Sequence, residues 1–174
     1  MPFYLKETDD FEKLERFASV LIIPCRFCPA ASLAVSNDEP YFEFFRHFLR
    51  TASYEHYIEK MRIELNARGV RADVFRSRWL HQFVVCMWTS RRRSKLRKRA
   101  EKYDALVVLG CEAAVQTIMD SLDDLPIPVI QGMRTEGIMS ILPQFQYPGS
   151  ITLRINSITP LLHSKQGPES WMHL

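Results

Sequence analysis

Cysteine is the residue type in this sequence that most clearly could do chemistry. Cys25 and Cys28 form a C-x-x-C pair, whereas Cys86 and Cys111 stand alone in the chain. Thiolate sulfur binds Zn²⁺ and iron–sulfur clusters, and four sulfurs complete the ligand set of either centre. The four cysteines therefore predict one metal centre.

Two other interpretations of the cysteines remain open. A C-x-x-C pair alone can be a redox-active dithiol, with Cys25 as the reactive thiolate. Free cysteine is also common in protein cores, where it packs like a small apolar side chain. Disulfides are disfavoured, because residues 1–14 are rich in charge and lack the apolar stretch of a secretion signal, which predicts a reducing cytoplasmic location.

Continuous apolar runs predict the strands that would position these cysteines. Residues 19–23 and 105–110 are typical of strands buried on both faces, and each run ends beside a cysteine. Further strands are predicted at 70–75, 82–85 and 127–131, the second of these ending on Cys86. Because the carboxyl ends of parallel strands share one edge of a sheet, thiols far apart in sequence would meet there.

Helices are predicted between these strands. Their expected ranges are 11–17, 38–68, 90–102 and 112–122, with Asp38 and Pro40 as the start signal of the long helix and Gly69 as its stop. The alternation predicts an α/β fold, a Rossmann-like three-layer sandwich with a mostly parallel sheet of about five strands. We expect a single metal-binding domain over 1–174, with its core at 19–142 and a C-terminal extension at 143–174. In that extension, residues 150–158 alternate like an edge strand.

Composition is that of a globular protein. Of 174 residues, 47% are hydrophobic and 25% are charged, and no apolar run is long enough to span a bilayer. No Ser-His-Asp set, phosphate loop or complete dinucleotide fingerprint is evident, which argues against the corresponding enzyme classes. The segment 132–137 after the last predicted strand is interpreted as a surface turn, with a loop over the metal centre as the alternative.

Basic residues are concentrated in one predicted helix. The net charge is only +3, yet seven of the nine residues from 91 to 99 are Lys or Arg. On a helix only Leu96 and Ala100 of this segment would face inward, so the remainder predicts a solvated, partner-docking face, with contacts from Arg91, Arg92 and Arg93. Nucleic-acid binding is disfavoured because the net charge is small and no RNA-binding motif is present.

Two charged residues adjoin the cysteines in sequence. Arg26 lies inside the C-x-x-C pair and Glu112 follows Cys111, so we expect both side chains beside the metal centre. Positive charge there would favour a reduced, more negative cluster. Structural zinc usually has two short knuckles, whereas ligands scattered over strand-end loops suit a cluster. An iron–sulfur cluster, [4Fe–4S], is therefore the prediction, and zinc is the alternative.

The segment 103–117, YDALVVLGCEAAVQT, resembles the signature of the methylenetetrahydrofolate reductase C-terminal family. That family includes the small cysteine-rich partner subunit of the acetogen-type reductase. Residues 20–28, 60–75 and 83–102 resemble its other segments, so the similarity covers 19–131 with an insertion between 29 and 57. Ser32 and Met87 stand where the family commonly has Cys and His.

The resemblance implies a cytoplasmic, cysteine-ligated protein that partners a flavin-containing reductase in one-carbon, folate-dependent metabolism. Such a subunit transfers electrons or shapes an interface and carries no catalytic residues of its own. The alternative from the residues alone is a zinc-stapled binding module that uses the basic helix 90–102 to bind nucleic acid or an acidic partner.

Overall fold

The described strands form two four-stranded sheets. A computed structural model describes residues 2–8, 10–43, 51–76, 84–122, 125–147 and 149–161. The strands are β1 (Phe3–Glu7), β2 (Ser19–Pro24), β3 (Phe42–Glu43), β4 (Arg71–Val74), β5 (Ala105–Leu109), β6 (Val129–Gln131), β7 (Met133–Gln146) and β8 (Ser150–Pro160). The helices are α1 (Cys28–Ser36), α2 (Ala52–Ala67), α3 (Ser90–Ala100) and α4 (Glu112–Leu122), with short 3₁₀ helices at Asp10–Leu14 and Val85–Met87.

The parallel sheet holds the core and has the strand order β4-β2-β5-β6. Its central strands β2 and β5 are runs of Val, Leu, Ile and Ala that are buried on both faces, which explains their lack of alternation. From β2 the chain crosses to β4 on one side and then returns to place β5 on the other side. Ligands bind outside the carboxyl ends of the two strands that flank such a reversal. Here those strands are β2 and β5.

The antiparallel sheet has the order β1-β7-β8-β3 and is built around one long hairpin. β7 and β8 pair from Gly137 opposite Pro160 to Gln146 opposite Ser150. Helix α1 is joined to β1 through Ser32, whose hydroxyl accepts the Leu5 N–H at 2.9 Å and lies 2.9 Å from the Cys28 carbonyl oxygen. Ser32 therefore serves as a link between α1 and the second sheet.

The predicted fold class is wrong. A single, mostly parallel sheet of about five strands was expected. The structure instead has a four-stranded parallel sheet and a separate, antiparallel sheet of four strands. Residues 82 and 83 of the predicted third strand lie outside the described residues, and Val85 begins a 3₁₀ helix. The segment 132–137 is not a surface turn, because Gly132 joins β6 directly to β7.

The helix predictions are partly confirmed. α4 has the expected bounds, and α3 begins and ends within two residues of the prediction. Gly69 follows the end of α2, as expected, and has a φ of +84° that glycine adopts without strain. The helix expected from residue 38 begins only at Ala52, since Phe42–Glu43 is a strand and 44–50 lie outside the described residues. No helix in the described part of the chain is long and apolar enough to cross a membrane.

Candidate metal centre

Cys25 and Cys111 lie at the carboxyl ends of the adjacent strands β2 and β5. The Cys25 N–H donates to the Leu109 carbonyl at 2.9 Å, which continues the ladder between the two strands. Both cysteines are buried, with 3% and 5% of their surface exposed. The expectation that these two distant cysteines share one edge of the parallel sheet is therefore confirmed.

The thiols of Cys28 and Cys111 are joined by a hydrogen bond. That bond raises the pKa of Cys28 and lowers the pKa of Cys111. Cys28 is the first residue of α1, and its sulfur also accepts the backbone N–H of Phe3 in β1. The site therefore draws on both sheets.

Backbone amides point at the two buried sulfurs. The amides of Ala113 and Ala114, in the first turn of α4, lower the pKa of Cys111, and the helix dipole there also favours negative charge. The Ala114 N–H itself donates to the Cys111 backbone carbonyl at 2.9 Å. Burial raises the pKa of Cys25 to about 11, and the amides of Val85 and Phe27 oppose that rise. Hydrogen bonding at this edge of the sheet therefore favours the charged form of Cys111, whereas burial favours the protonated form of Cys25.

Cys86 is the exposed member of the set. It lies in the 3₁₀ helix Val85–Met87 and not at the end of a strand. Partial burial and the charge of Cys111 raise the pKa of Cys86, while the charges of Cys111 and Cys86 help to raise the pKa of Cys25. Cys86 is therefore within electrostatic range of Cys25 and Cys111.

The described residues contain no ready-made arrangement of three or more His, Cys, Asp or Glu side chains around a metal position. The thiols interact in pairs. Cys28 and Cys111 share a hydrogen bond, and the charges of Cys86 and Cys111 act on Cys25. The donor set has the soft sulfur chemistry that iron–sulfur clusters and Zn²⁺ require. Fourfold coordination requires Cys86 to turn inward from its exposed position.

Arg26 lies beside the thiols, and its charge is matched by a carboxylate. Its Nε and Nη2 donate to the two oxygens of Glu55 in α2 at 2.6 and 3.2 Å, and only 9% of its side chain is exposed. This fork-like pairing is the stronger kind of ion pair. It anchors the loop between Cys25 and Cys28 to α2, which makes Arg26 a support for the loop.

Glu55→Gln is expected to lower the free energy of unfolding by about 1–3 kcal/mol, because it removes the carboxylate charge that pairs with the buried Arg26. Chemical denaturation in urea measures this change. Glu59→Gln is the matched control on the same helix, since its pair with Arg62 is exposed and its loss should leave the denaturation midpoint unchanged. Equal midpoints for the two variants would contradict the anchoring role of Arg26.

Glu112 also occupies a defined position. Its carboxylate oxygens accept hydrogen bonds from Thr135 Oγ1 at 2.7 Å and from Gln131 Nε2 at 3.3 Å. Glu112 therefore joins the start of α4 to β6 and β7. Through these two hydrogen bonds Glu112 attaches α4, the helix that follows Cys111, to both sheets.

The three arginines predicted to contact a partner differ in position. Arg91 is exposed, whereas Arg93 Nε donates to the Trp88 carbonyl at 3.3 Å. Arg92 is buried, with its guanidinium 4.2 Å from the Phe75 ring centroid and 5.1 Å from that of Trp88. The prediction that only Leu96 and Ala100 of this helix face inward is therefore wrong. Arg92 is closed to a partner.

Two buried tyrosines beside the thiols were missed. Tyr54 in α2 donates its hydroxyl to the Leu109 carbonyl at 3.1 Å, directly where β5 ends. Burial and the charge of Cys25 raise the pKa of Tyr54, and burial followed by the charges of Cys28 and Cys25 raises the pKa of Tyr41. For Tyr54 the sequence did contain a signal, which is its helical spacing from apolar residues further along α2. The buried face of α2 includes Tyr54, Tyr57, Ile58, Met61 and Leu65.

Comparison with known proteins gives no significant match, since no family model, no curated protein and no solved structure is similar to this chain. Function is therefore inferred from the geometry of the four thiols.

Proposed function

We propose that Cys25, Cys28, Cys86 and Cys111 together bind one iron–sulfur cluster of the [4Fe–4S] type. The observation that carries this proposal is the meeting of thiols outside the carboxyl ends of β2 and β5, at the reversal of strand order. Four thiolates are the standard ligand set of such a cluster. The protein is then a non-catalytic electron-transfer or scaffolding subunit of a larger cytoplasmic redox complex.

The amides around the sulfurs favour this assignment. Backbone N–H groups of Val85 and Phe27 lower the pKa of Cys25, and those of Ala113 and Ala114 lower the pKa of Cys111. Hydrogen bonds of this kind set the reduction potential of cluster thiolates, and they also fix the direction of each ligand. When the cluster is bound it supplies one-electron chemistry, while these amides hold the sulfurs in place.

Exposure of Cys86 suits electron exchange with a partner. Cys25 and Cys111 are buried and Cys28 is partly buried, whereas Cys86 is exposed at the surface. The resemblance of residues 103–117 favours a flavin-containing reductase of one-carbon metabolism as the partner.

Anaerobic purification followed by iron, sulfide and zinc analysis tests the proposal. We expect about four iron and four sulfide per chain, with broad visible absorption that dithionite bleaches. One zinc per chain without visible absorption would instead support the zinc-stapled module. A folded protein that takes up neither metal under anaerobic reconstitution would remove both assignments.

A buried dithiol is the second candidate, and the hydrogen bond between Cys28 and Cys111 favours it. Oxidation would join their two sulfurs and pass two electrons, with the release of two protons, to a disulfide such as oxidised glutathione. Mass spectrometry of the metal-free protein after such treatment would show a Cys28–Cys111 crosslink. A Cys25–Cys28 crosslink would instead match the redox interpretation of the C-x-x-C pair.

A further inference from the structure

The exposed thiol is flanked by exposed apolar side chains. Met87 is 73% exposed and Phe27 is 44% exposed. The amides of Val85 and Phe27 both donate to the Cys25 sulfur, so the segment that carries Cys86 lies beside the loop that carries Phe27. Phe27, Cys86 and Met87 are called the thiol face below.

A stripe of positive charge begins next to the thiol face. Arg91, Lys95 and Lys98 are all exposed, and their spacing places them on one side of α3. The stripe is about 10 Å long at the rise of an α-helix. Within the described part of the chain none of the three forms an ion pair. Arg91 lies four residues after Met87, so the stripe begins directly after the segment that carries Cys86.

We propose that the thiol face and this stripe form one docking surface for a redox protein with an acidic surface. An apolar centre with charge at its edge is the anatomy of a protein interface, and opposite charge steers and orients the partner. The thiol nearest to solvent then lies under the docked partner. This inference rests on the proposed function for the electron-transfer step, while the binding step stands independently.

Protein is favoured over nucleic acid by the same residues. A phosphate backbone following the stripe would meet the apolar Met87 and Phe27, which offer it no charge. The chain also carries a net charge of only +3, which gives little general attraction for a polyanion.

Binding of a flavodoxin, used as an acidic redox-protein probe, tests the docking surface. The R91A/K95A/K98A variant is compared with a control that removes the same charge from exposed sites elsewhere, Lys6→Ala, Lys60→Ala and Arg154→Ala. We expect the stripe variant to weaken binding at low salt by about tenfold or more, and the control to stay within about twofold. Met87→Glu should weaken binding similarly, because it places negative charge in the apolar centre.

The readouts separate this inference from the metal assignment. In metal-loaded protein, the second-order rate of electron transfer from reduced flavodoxin should fall with the stripe variant by the same factor as binding. If this protein takes up no metal under anaerobic reconstitution but still binds flavodoxin through the stripe, the docking surface is supported and the cluster assignment is overturned. Equal binding by wild type and stripe variant would overturn the docking surface, as would tighter binding of a single-stranded 20-nucleotide RNA than of flavodoxin.

Discussion

Cys111→Ser is expected to abolish metal retention. Among the four proposed ligands, Cys111 has its pKa lowered, by the hydrogen bond of Cys28 and by two α4 amides. A serine hydroxyl is a harder, more basic donor that iron–sulfur clusters and Zn²⁺ accept poorly. Metal per chain after anaerobic reconstitution should fall by at least about tenfold, since even residues outside the ligand set commonly change metal affinity by 10- to 100-fold. Circular dichroism verifies that the variant is folded.

Cys86→Ser is the variant that separates ligation from packing. Cys86 is exposed, so the substitution should leave stability nearly unchanged. If four thiols bind one centre, this variant loses its metal although its fold is intact. The dithiol candidate predicts the opposite, because Cys28 and Cys111 are both still present. Full metal occupancy in Cys86→Ser would be incompatible with a four-cysteine cluster.

Prediction from the sequence succeeded where local composition decides the structure. β2 and β5 were recognised because strands buried on both faces need apolar residues at consecutive positions. Once those two strands are parallel neighbours, the meeting of Cys25 and Cys111 follows from topology alone. Glu112 at the start and the amphipathic pattern to Leu122 likewise defined α4.

The alternation at 150–158 indicated β8, but the sheet to which it belongs could not be predicted, because the pairing of β1 is distant in the chain and the start of β7 was interpreted as a turn. β1 pairs with β7 across more than 120 residues of sequence, from Phe3 opposite Ile138 to Glu7 opposite Met133. Gly137 suggested a turn, yet it lies inside β7, where a side chain would approach the Thr159 carbonyl oxygen to 2.5 Å. That glycine permits close approach of β8, a requirement that is invisible without the partner strand.

At the site, the predicted route by which Cys86 reaches the other thiols was wrong. A third parallel strand was expected to deliver this thiol, but a 3₁₀ helix carries it. Arg92 shows the same limit, because a helical wheel of a very basic segment gives no sign that one guanidinium packs between Phe75 and Trp88. Cation–π contact with two rings compensates for burial of that charge.

Gly110→Ala is expected to weaken both the fold and the metal centre. A Cβ on Gly110 would lie 2.7 Å from the Ala114 Cβ and 3.3 Å from the Cys25 Cβ. The added methyl would therefore push α4 or Cys25 away from the end of β5, and overpacking of this kind costs about 1–3 kcal/mol. Urea denaturation should show this loss. Metal per chain should fall as well, because Cys25 and Cys111 flank Gly110 and would be forced apart.

The double variant G110A/A114G identifies the cause of that loss. Glycine at 114 removes the methyl that the new side chain would strike, at a cost of about 1 kcal/mol for glycine within a helix. If the clash is the cause, the two substitutions together destabilise the protein less than the sum of the single effects, with a coupling of about 0.5–3 kcal/mol. Metal retention should recover in parallel, since α4 can then return its amides to the Cys111 sulfur. Strict additivity in this cycle would show that close packing of Gly110 against α4 does not hold the two thiols together.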